Sequence, residues 1–411
     1  MKGGKAVTNE EKTFIDVISA YISAKELNAA FDGIDFSELI KLSEIHKLTP
    51  LLYSVLKKNE AHLPDGVGEY LKKRSMVLGA RVISQTDAYL KLLSSLNEIG
   101  LYPITVKGIV IRSLYPEPWV RPSSDEDLYI NKEEKEKYEE ALINLGFKKR
   151  VQNDEDDTVS AFCSDTSGLH LEVHTFLFPR FPSINEKMNA LFEKSFERAV
   201  FTTAENQSIK TLCPTDHLIF LILHSFKHFI YCGFGIRQIA DLAVFARHYR
   251  DEIDSDRVVS ALKKVSALGF FDALLKICKE YFDIGKDELG FAAYEPKDCN
   301  TENLINDVMS GGIYGNSDIV RVHSSTITLS AADGKSTGAL SALFPPYSIM
   351  KNRYSYVGKC PVLLPVSWVQ RIITYIFGKN KGADNASQSL EIGAKRLAML
   401  KQYGVISGGK K

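Results

Sequence analysis

The hydrophobic period of the chain changes at Tyr102, and that change constrains the fold more than any other feature. Upstream, over residues 10 to 100, apolar residues return at helical spacing. Phe14, Val17, Ile18 and Tyr21 form one stripe, and Leu90, Leu92, Leu93 and Leu96 form another before Gly100 stops it. Between them, His46-Lys-Leu-Thr-Pro50-Leu-Leu-Tyr53 reads as a helix end followed by a helix started by proline. From Tyr102 the rhythm shortens. Ile104-Thr-Val106 is a β-branched strand broken by Lys107-Gly108, and a helical stretch runs to Tyr115. A turn with Pro116, Pro118 and Pro122 leads to a second strand, Asp127 to Ile130. Asn131 with Glu134 has the form of a capping box, and the helix it opens carries Tyr138, Leu142 and Leu145 on one face up to Gly146. Further strands are expected around 147–151, 158–163 and 169–176. This order describes a small mixed α/β unit of about 100 residues.

Downstream the chain returns to helix, from Pro214 to Arg250 with Thr215 as N-cap, and again over 258–283. Residues 294–337 are rich in Gly, Asn and Ser and read as a loop or linker. A segment from Phe344 to Phe377 rich in Pro, Tyr and Trp follows, then a last helix from about Ser387 to Tyr403. The expected class is α+β: an N-terminal helical region (1–100), a mixed-sheet core (101–200), a helical domain (201–293), and a loop plus basic C-terminal region (294–411).

Lysine plus arginine number 51 against 51 aspartate plus glutamate, which excludes a protein that coats nucleic acid or membranes by bulk charge. The neutrality is unevenly spread. Residues 101–200 hold 13 basic and 18 acidic side chains, a net of −5, whereas residues 301–411 hold 13 and 6, a net of +7. The six cysteines show no C-x-x-C pair, as expected for free thiols in a reducing cytoplasm. Met1 to Phe14 is polar, without the apolar stretch of a secretory signal. The apolar run from Leu218 to Leu223 is far short of the ~20 residues of a membrane span. The expectation is a soluble, cytoplasmic protein.

Chemistry concentrates between Val106 and Ile130. On a strand, Asp125 and Asp127 at i, i+2 project together, and two crowded carboxylates call for a cation. Such a pair next to a phosphate suits Mg²⁺, and Gly108 at a strand-to-helix turn lets backbone N–H groups approach a phosphate. Glu172 and His174 form a second i, i+2 pair on a later strand, where Glu172 could complete a carboxylate triad as ligand or general base. Each element alone is weak, since Asp-x-Asp is commonly a solvated turn. The order in which they occur is the signal: glycine turn, helix, acidic strand, third acid. His217, Leu221, His224 and His228 lie on one helical stripe, either a metal or phosphate site or a packed histidine row between domains. Arg237 and Asp241, at i, i+4, read first as an ion pair on a helix surface or between domains, and second as residues shaping a cleft.

On these residues the chain resembles the uncharacterised nucleotidyltransferases of the DNA-polymerase-beta-like superfamily, in the branch with Lys-Gly before the first helix. The matching blocks are His46 to Tyr53, Val106-Lys-Gly to Asp125-Glu-Asp127-Leu, Leu171-Glu-Val-His174, and His224 to Asp241. The Tyr354 to Arg371 segment, with Leu-Leu-Pro365 and Trp368, is similar to the family's C-terminal region.

The resemblance implies a nucleotidyltransferase-fold core in which Asp125, Asp127 and Glu172 bind Mg²⁺ or Mn²⁺ and act as the catalytic residues. Lys107, Gly108, Arg121 and Ser124 would contact the nucleotide, with His174, His224, His228, Arg237 and Asp241 as accessory candidates. The expected reaction moves a nucleoside monophosphate, AMP from ATP, onto a hydroxyl of a small molecule or protein. Two positions depart from the superfamily pattern: Ile109 stands where a serine is usual, and Glu126 where an apolar residue is usual. These departures motivate an alternative, a catalytically weak or inactive nucleotide-binding scaffold, beside a third reading as an RNA-modifying nucleotidyltransferase.

Overall fold

The computed structural model describes residues 7–27, 31–150, 158–180, 183–231, 233–312, 347, 350–351, 354–377 and 382–406. Helices α1 (Asn9–Ser23), α2 (Phe36–Ile45), α3 (Thr49–Lys58) and α4 (Val67–Glu98) come first, as the helical rhythm requires. Thr8 and Glu11 close a capping box at the start of α1. Gly100, at φ +81°, turns the chain out of α4. The order then becomes β1 (Ile104–Val106), α5 (Gly108–Arg112), β2 (Glu126–Tyr129), α6 (Lys135–Asn144), β3 (Lys148–Lys149), β4 (Val159–Cys163) and β5 (His170–His174). After α7 (Ser183–Ala190) and α8 (Ser195–Arg198), the hairpin β6 (Val200–Ala204) and β7 (Gln207–Thr211) completes a seven-stranded sheet of order β3-β4-β5-β2-β1-β7-β6.

Register places the site. Strand β1 is antiparallel to β2, with Val106 opposite Asp127. Strand β2 is parallel to β5, with Asp127 beside Glu172 and Tyr129 beside His174. Laterally paired residues share a face and alternate ones do likewise, so Asp127, Glu172 and His174 project together. Leu128, Leu171 and Val173 project the other way, into a cluster with Leu90, Leu93 and Leu96 of α4 and Leu142 of α6. A larger core joins α1, α2 and α3 to α9 (Pro214–Tyr231), α10 (Ile236–His248), α11 (Ser255–Lys264) and α12 (Leu268–Phe282). Ser19 and Ser23 of α1 each donate to the carbonyl of Phe282 at the end of α12.

Several local expectations are corrected. The helix expected from Pro214 to Arg250 is two helices, α9 and α10. Thr215 lies within the first turn of α9, where its hydroxyl accepts the N–H of Asp254 at 3.0 Å and so ties α9 to α11. The Asn131 side chain does not cap its helix. It donates to Glu134 Oε2 at 3.3 Å across a short 3₁₀ turn before α6. The 294–337 stretch contains α13 (Glu302–Gly311), and residues 313–337 lie outside the described residues. Helices α14 (Ser355–Lys359), α15 (Leu364–Phe377) and α16 (Gly382–Gln402) follow. Arg396 of α16 is buried in an ion pair with Asp307 of α13. Among the described residues, Cys163, Cys213, Cys278, Cys299 and Cys360 are free thiols. No helix among them is long and apolar enough to cross a membrane.

Candidate active site

Lys107 follows β1 with φ +54° and ψ −127°, a conformation a non-glycine residue adopts only when its surroundings hold it. Helix α9 supplies that hold twice. The Lys107 N–H donates to His217 Nε2 at 3.2 Å, so His217 carries its proton on Nδ1. That Nδ1–H faces the Thr211 hydroxyl at 3.2 Å, which in turn donates to the carbonyl of Thr105 at 2.7 Å. Two turns along, His224 Nε2 lies 3.3 Å from Lys107 Nζ, and His228 Nε2 lies 3.3 Å from the same His224 nitrogen. The histidine stripe therefore packs against Lys107, with His217 buried and His224 and His228 partly buried. Burial, then the Lys107 charge, holds His224 well below the usual histidine range, and the same two causes bring His217 down to about 3.

In front of Lys107 stand the carboxylates. Its ammonium lies 3.0 Å from Asp127 Oδ2, while Asp127 Oδ1 accepts from His174 Nε2 at 2.9 Å. The same His174 nitrogen is 3.4 Å from Glu172 Oε2. Asp127 is 3% exposed; burial opposes its charge, but Lys107 and the bond from His174 outweigh it and hold the carboxyl below its ordinary range. The His174 hydrogen bond likewise lowers Glu172. Burial opposes the charged forms of Lys107 and His174, yet the surrounding carboxylates raise both. Asp125 behaves oppositely: burial, then the charges of Asp127 and Glu172, push it up to about 6. Three acids crowd one face, and two cationic side chains only partly compensate. Among the described residues, ligand atoms of Asp127, Glu172 and His174 all lie within 4.8 Å of one another, a spacing at which one divalent ion can bridge them. Asp125 is not a member of that group, although it belongs to the same electrostatic cluster.

Glu126 points to the opposite face, as strand alternation demands. Strand β2 lies inside the sheet, so this carboxylate is buried, and its cost is offset by a complete set of partners. Its Oε1 receives Arg112 at 2.7 Å and Ser123 at 3.2 Å, and its Oε2 receives the N–H of Ile109 at 2.8 Å. The amide at Ile109, which the sequence offers to a phosphate, is thus occupied by an internal carboxylate. Gly108, at φ +32°, is required there for a second reason: a Cβ would lie 1.9 Å from Glu126 Oε2.

Arg121 is likewise not open to a triphosphate. It is buried, gripping Asp241 through both oxygens at 2.8 and 2.7 Å, and Tyr115 donates to the same carboxylate at 2.9 Å. Asp241 therefore pairs across 120 residues, and it lies in the interior rather than on a helix surface. Arg237, also buried, donates to the carbonyl of Pro122 at 2.6 Å. Together these contacts fasten α10 to the proline turn that delivers Asp125. Ser124, beside Asp125, accepts from Lys47, a residue at φ +53° just after α2. Lys47 had only its place in the His46 to Tyr53 block as a signal, and its approach to the acidic strand becomes visible only in three dimensions.

Residues 32–283, more than half of the chain, match the family described as an uncharacterised nucleotidyltransferase. The chain belongs to that family. The matched span covers the whole sheet, the carboxylate face and helices α9 and α10, which clasp Lys107 and Arg121. No curated protein and no solved structure matches the chain significantly. Nucleotidyltransferases take a nucleoside triphosphate and a divalent metal, and the donor set of Asp127, Glu172 and His174 fits such an ion.

Proposed function

We propose that the chain transfers a nucleoside monophosphate, AMP from ATP, onto a hydroxyl of a small-molecule or protein acceptor, with Mg²⁺ or Mn²⁺ bound at Asp125, Asp127 and Glu172. The observation that carries this reading is the convergence of Asp127 and Glu172, neighbours in register on β2 and β5, beside a lysine whose ammonium meets His224 and whose backbone N–H is held by His217. The bound ion would lower the acceptor's pKa and neutralise charge on the leaving group. Lys107 binds the triphosphate, with its other contacts fixing where the charge sits. Glu172, at the open side of the face, takes the acceptor's proton as the acceptor oxygen bonds to the α-phosphorus. The bond from that phosphorus to the β-phosphate oxygen breaks, and pyrophosphate leaves. Arg121, Arg237 and Asp241 act indirectly by holding the proline turn before Asp125.

The test is incubation with α-labelled nucleoside triphosphates, divalent metal and a broad acceptor panel. Labelled product with pyrophosphate is expected, and Asp127→Asn abolishes it. Neither product nor pyrophosphate across the panel would overturn the reading. One observation favours the non-catalytic alternative: the Ile109 amide at the start of α5 is spent on Glu126, leaving fewer backbone donors for phosphate. Calorimetry separates the two, since a scaffold would bind ATP without metal dependence and without turnover.

A further inference from the structure

We propose that the divalent ion of this site takes His174 as a direct ligand beside Asp127 and Glu172, so that the site selects a transition ion such as Mn²⁺ over Mg²⁺. The proposal rests on the nucleotidyl-transfer reading above and concerns which atoms hold its metal. Geometry carries it. The His174 nitrogen is 2.9 Å from Asp127 Oδ1 and 3.4 Å from Glu172 Oε2. In an octahedron with metal–ligand bonds of about 2.1 Å, adjacent ligands stand about 3 Å apart, so both distances suit edges of one coordination sphere.

The two oxygens of Asp127 are also divided between tasks. Oδ2 is held by Lys107 at 3.0 Å, which leaves Oδ1 turned toward the imidazole. The frame is rigid, since Glu172 and His174 are alternate residues of β5 and Asp127 sits beside Glu172 in register on β2. No loop has to move to bring the three donors together.

Chemistry then sets the preference. Mg²⁺ takes oxygen donors and retains its waters, whereas an imidazole nitrogen suits the first transition row, its later members best and Mn²⁺ least, though Mn²⁺ still accepts nitrogen more readily than Mg²⁺ does. On binding, the His174 nitrogen gives its lone pair to the ion and its proton to solvent.

The experiment uses the full chain and Mn²⁺ alone as probe, followed by pulsed electron paramagnetic resonance for coupling to a coordinated ¹⁴N. The expected result is a nitrogen coupling that disappears in His174→Ala and His174→Gln, with a loss of Mn²⁺ affinity of about tenfold or more. Calorimetry should show Mn²⁺ bound at least about tenfold more tightly than Mg²⁺, the gap closing in both variants. Mn²⁺ bound by the native chain and released by Asp127→Asn, but without nitrogen coupling, would overturn the role of His174 and leave the metal reading intact. A coupling that persists in both His174 variants overturns it too. Failure of the native chain to bind Mn²⁺ at millimolar concentration would sink the proposal and the metal-dependent reading together.

Discussion

A Cβ added to Gly108 would meet Glu126 Oε2 at 1.9 Å, and the carboxylate cannot step aside, because Arg112 and the Ile109 amide hold it at 2.7 and 2.8 Å. The glycine of the Lys-Gly turn is thereby tied to the unusual glutamate between the two aspartates. Gly108→Ala is expected to destabilise the fold by at least about 1–3 kcal/mol through overpacking, with strain at positive φ adding to it. Urea denaturation reads this as a fall in midpoint at constant slope. A midpoint within error of the native chain's would show that Glu126 can yield.

The same pair gives a double-mutant prediction. Glu126→Leu leaves the Arg112 guanidinium, 2% exposed, without its carboxylate. Removing one partner of a buried pair costs about 3–5 kcal/mol, mostly because the other charge is left uncompensated. Adding Arg112→Met should therefore recover much of the loss, a coupling that equilibrium unfolding of the four proteins measures directly. Simple additivity would mean that the pair is solvated and does not anchor the start of α5.

Two basic residues that look equivalent in the sequence, Lys107 and Arg121, should separate in a nucleotide-binding assay. Arg121→Lys keeps the charge but loses the two-oxygen grip on Asp241, so stability falls while nucleotide affinity in the folded protein changes little. Lys107→Gln removes a cation facing the carboxylates, and affinity for ATP with metal should fall by about 10–100-fold, the worth of a charge-assisted hydrogen bond. Calorimetric titration of both variants decides it, and a large affinity loss in Arg121→Lys would return that residue to the triphosphate.

How much of this was legible followed from range. Asp125 and Asp127 could be read as a pair because a strand has period two, and Glu172 with His174 for the same reason. That β2 and β5 would lie side by side, bringing Glu172 next to Asp127, no local pattern states. The β6–β7 hairpin escaped notice because its turn is Glu205-Asn206, both at positive φ, without the glycine that usually marks such a loop. The pairing of Arg121 with Asp241 has no local signal, because its partner lies 120 residues away on α10. Glu126 looked like an anomaly in the motif until Arg112, one helix earlier, supplied its counter-charge.

The buried histidines make stability depend on pH in a definite direction. Burial lowers His46 to about 4 against the opposing bond with the Met309 carbonyl, burial and then the Lys107 charge lower His217 to about 3, and His224 and His228 are shifted the same way. In the unfolded chain each titrates near 6.5. Between pH 6.5 and about 4 the unfolded state therefore binds more protons than the folded one, and stability falls as pH falls. For the fully buried His46 and His217, each contributes up to about 1.4 kcal/mol per pH unit in that window. Asp125, held up near 6, pulls the other way and softens the slope, whereas the raised pKa of His174 acts above pH 6.5, where its contribution grows as pH falls and is complete before this window begins. Urea midpoints between pH 7.5 and 4.5 should decline steadily below 6.5, and His46→Gln should flatten the curve even if it lowers the starting value. A midpoint that holds constant down to pH 4.5 would mean that these imidazoles are protonated in place, and the neutral His217 assigned to the Lys107 turn would be wrong.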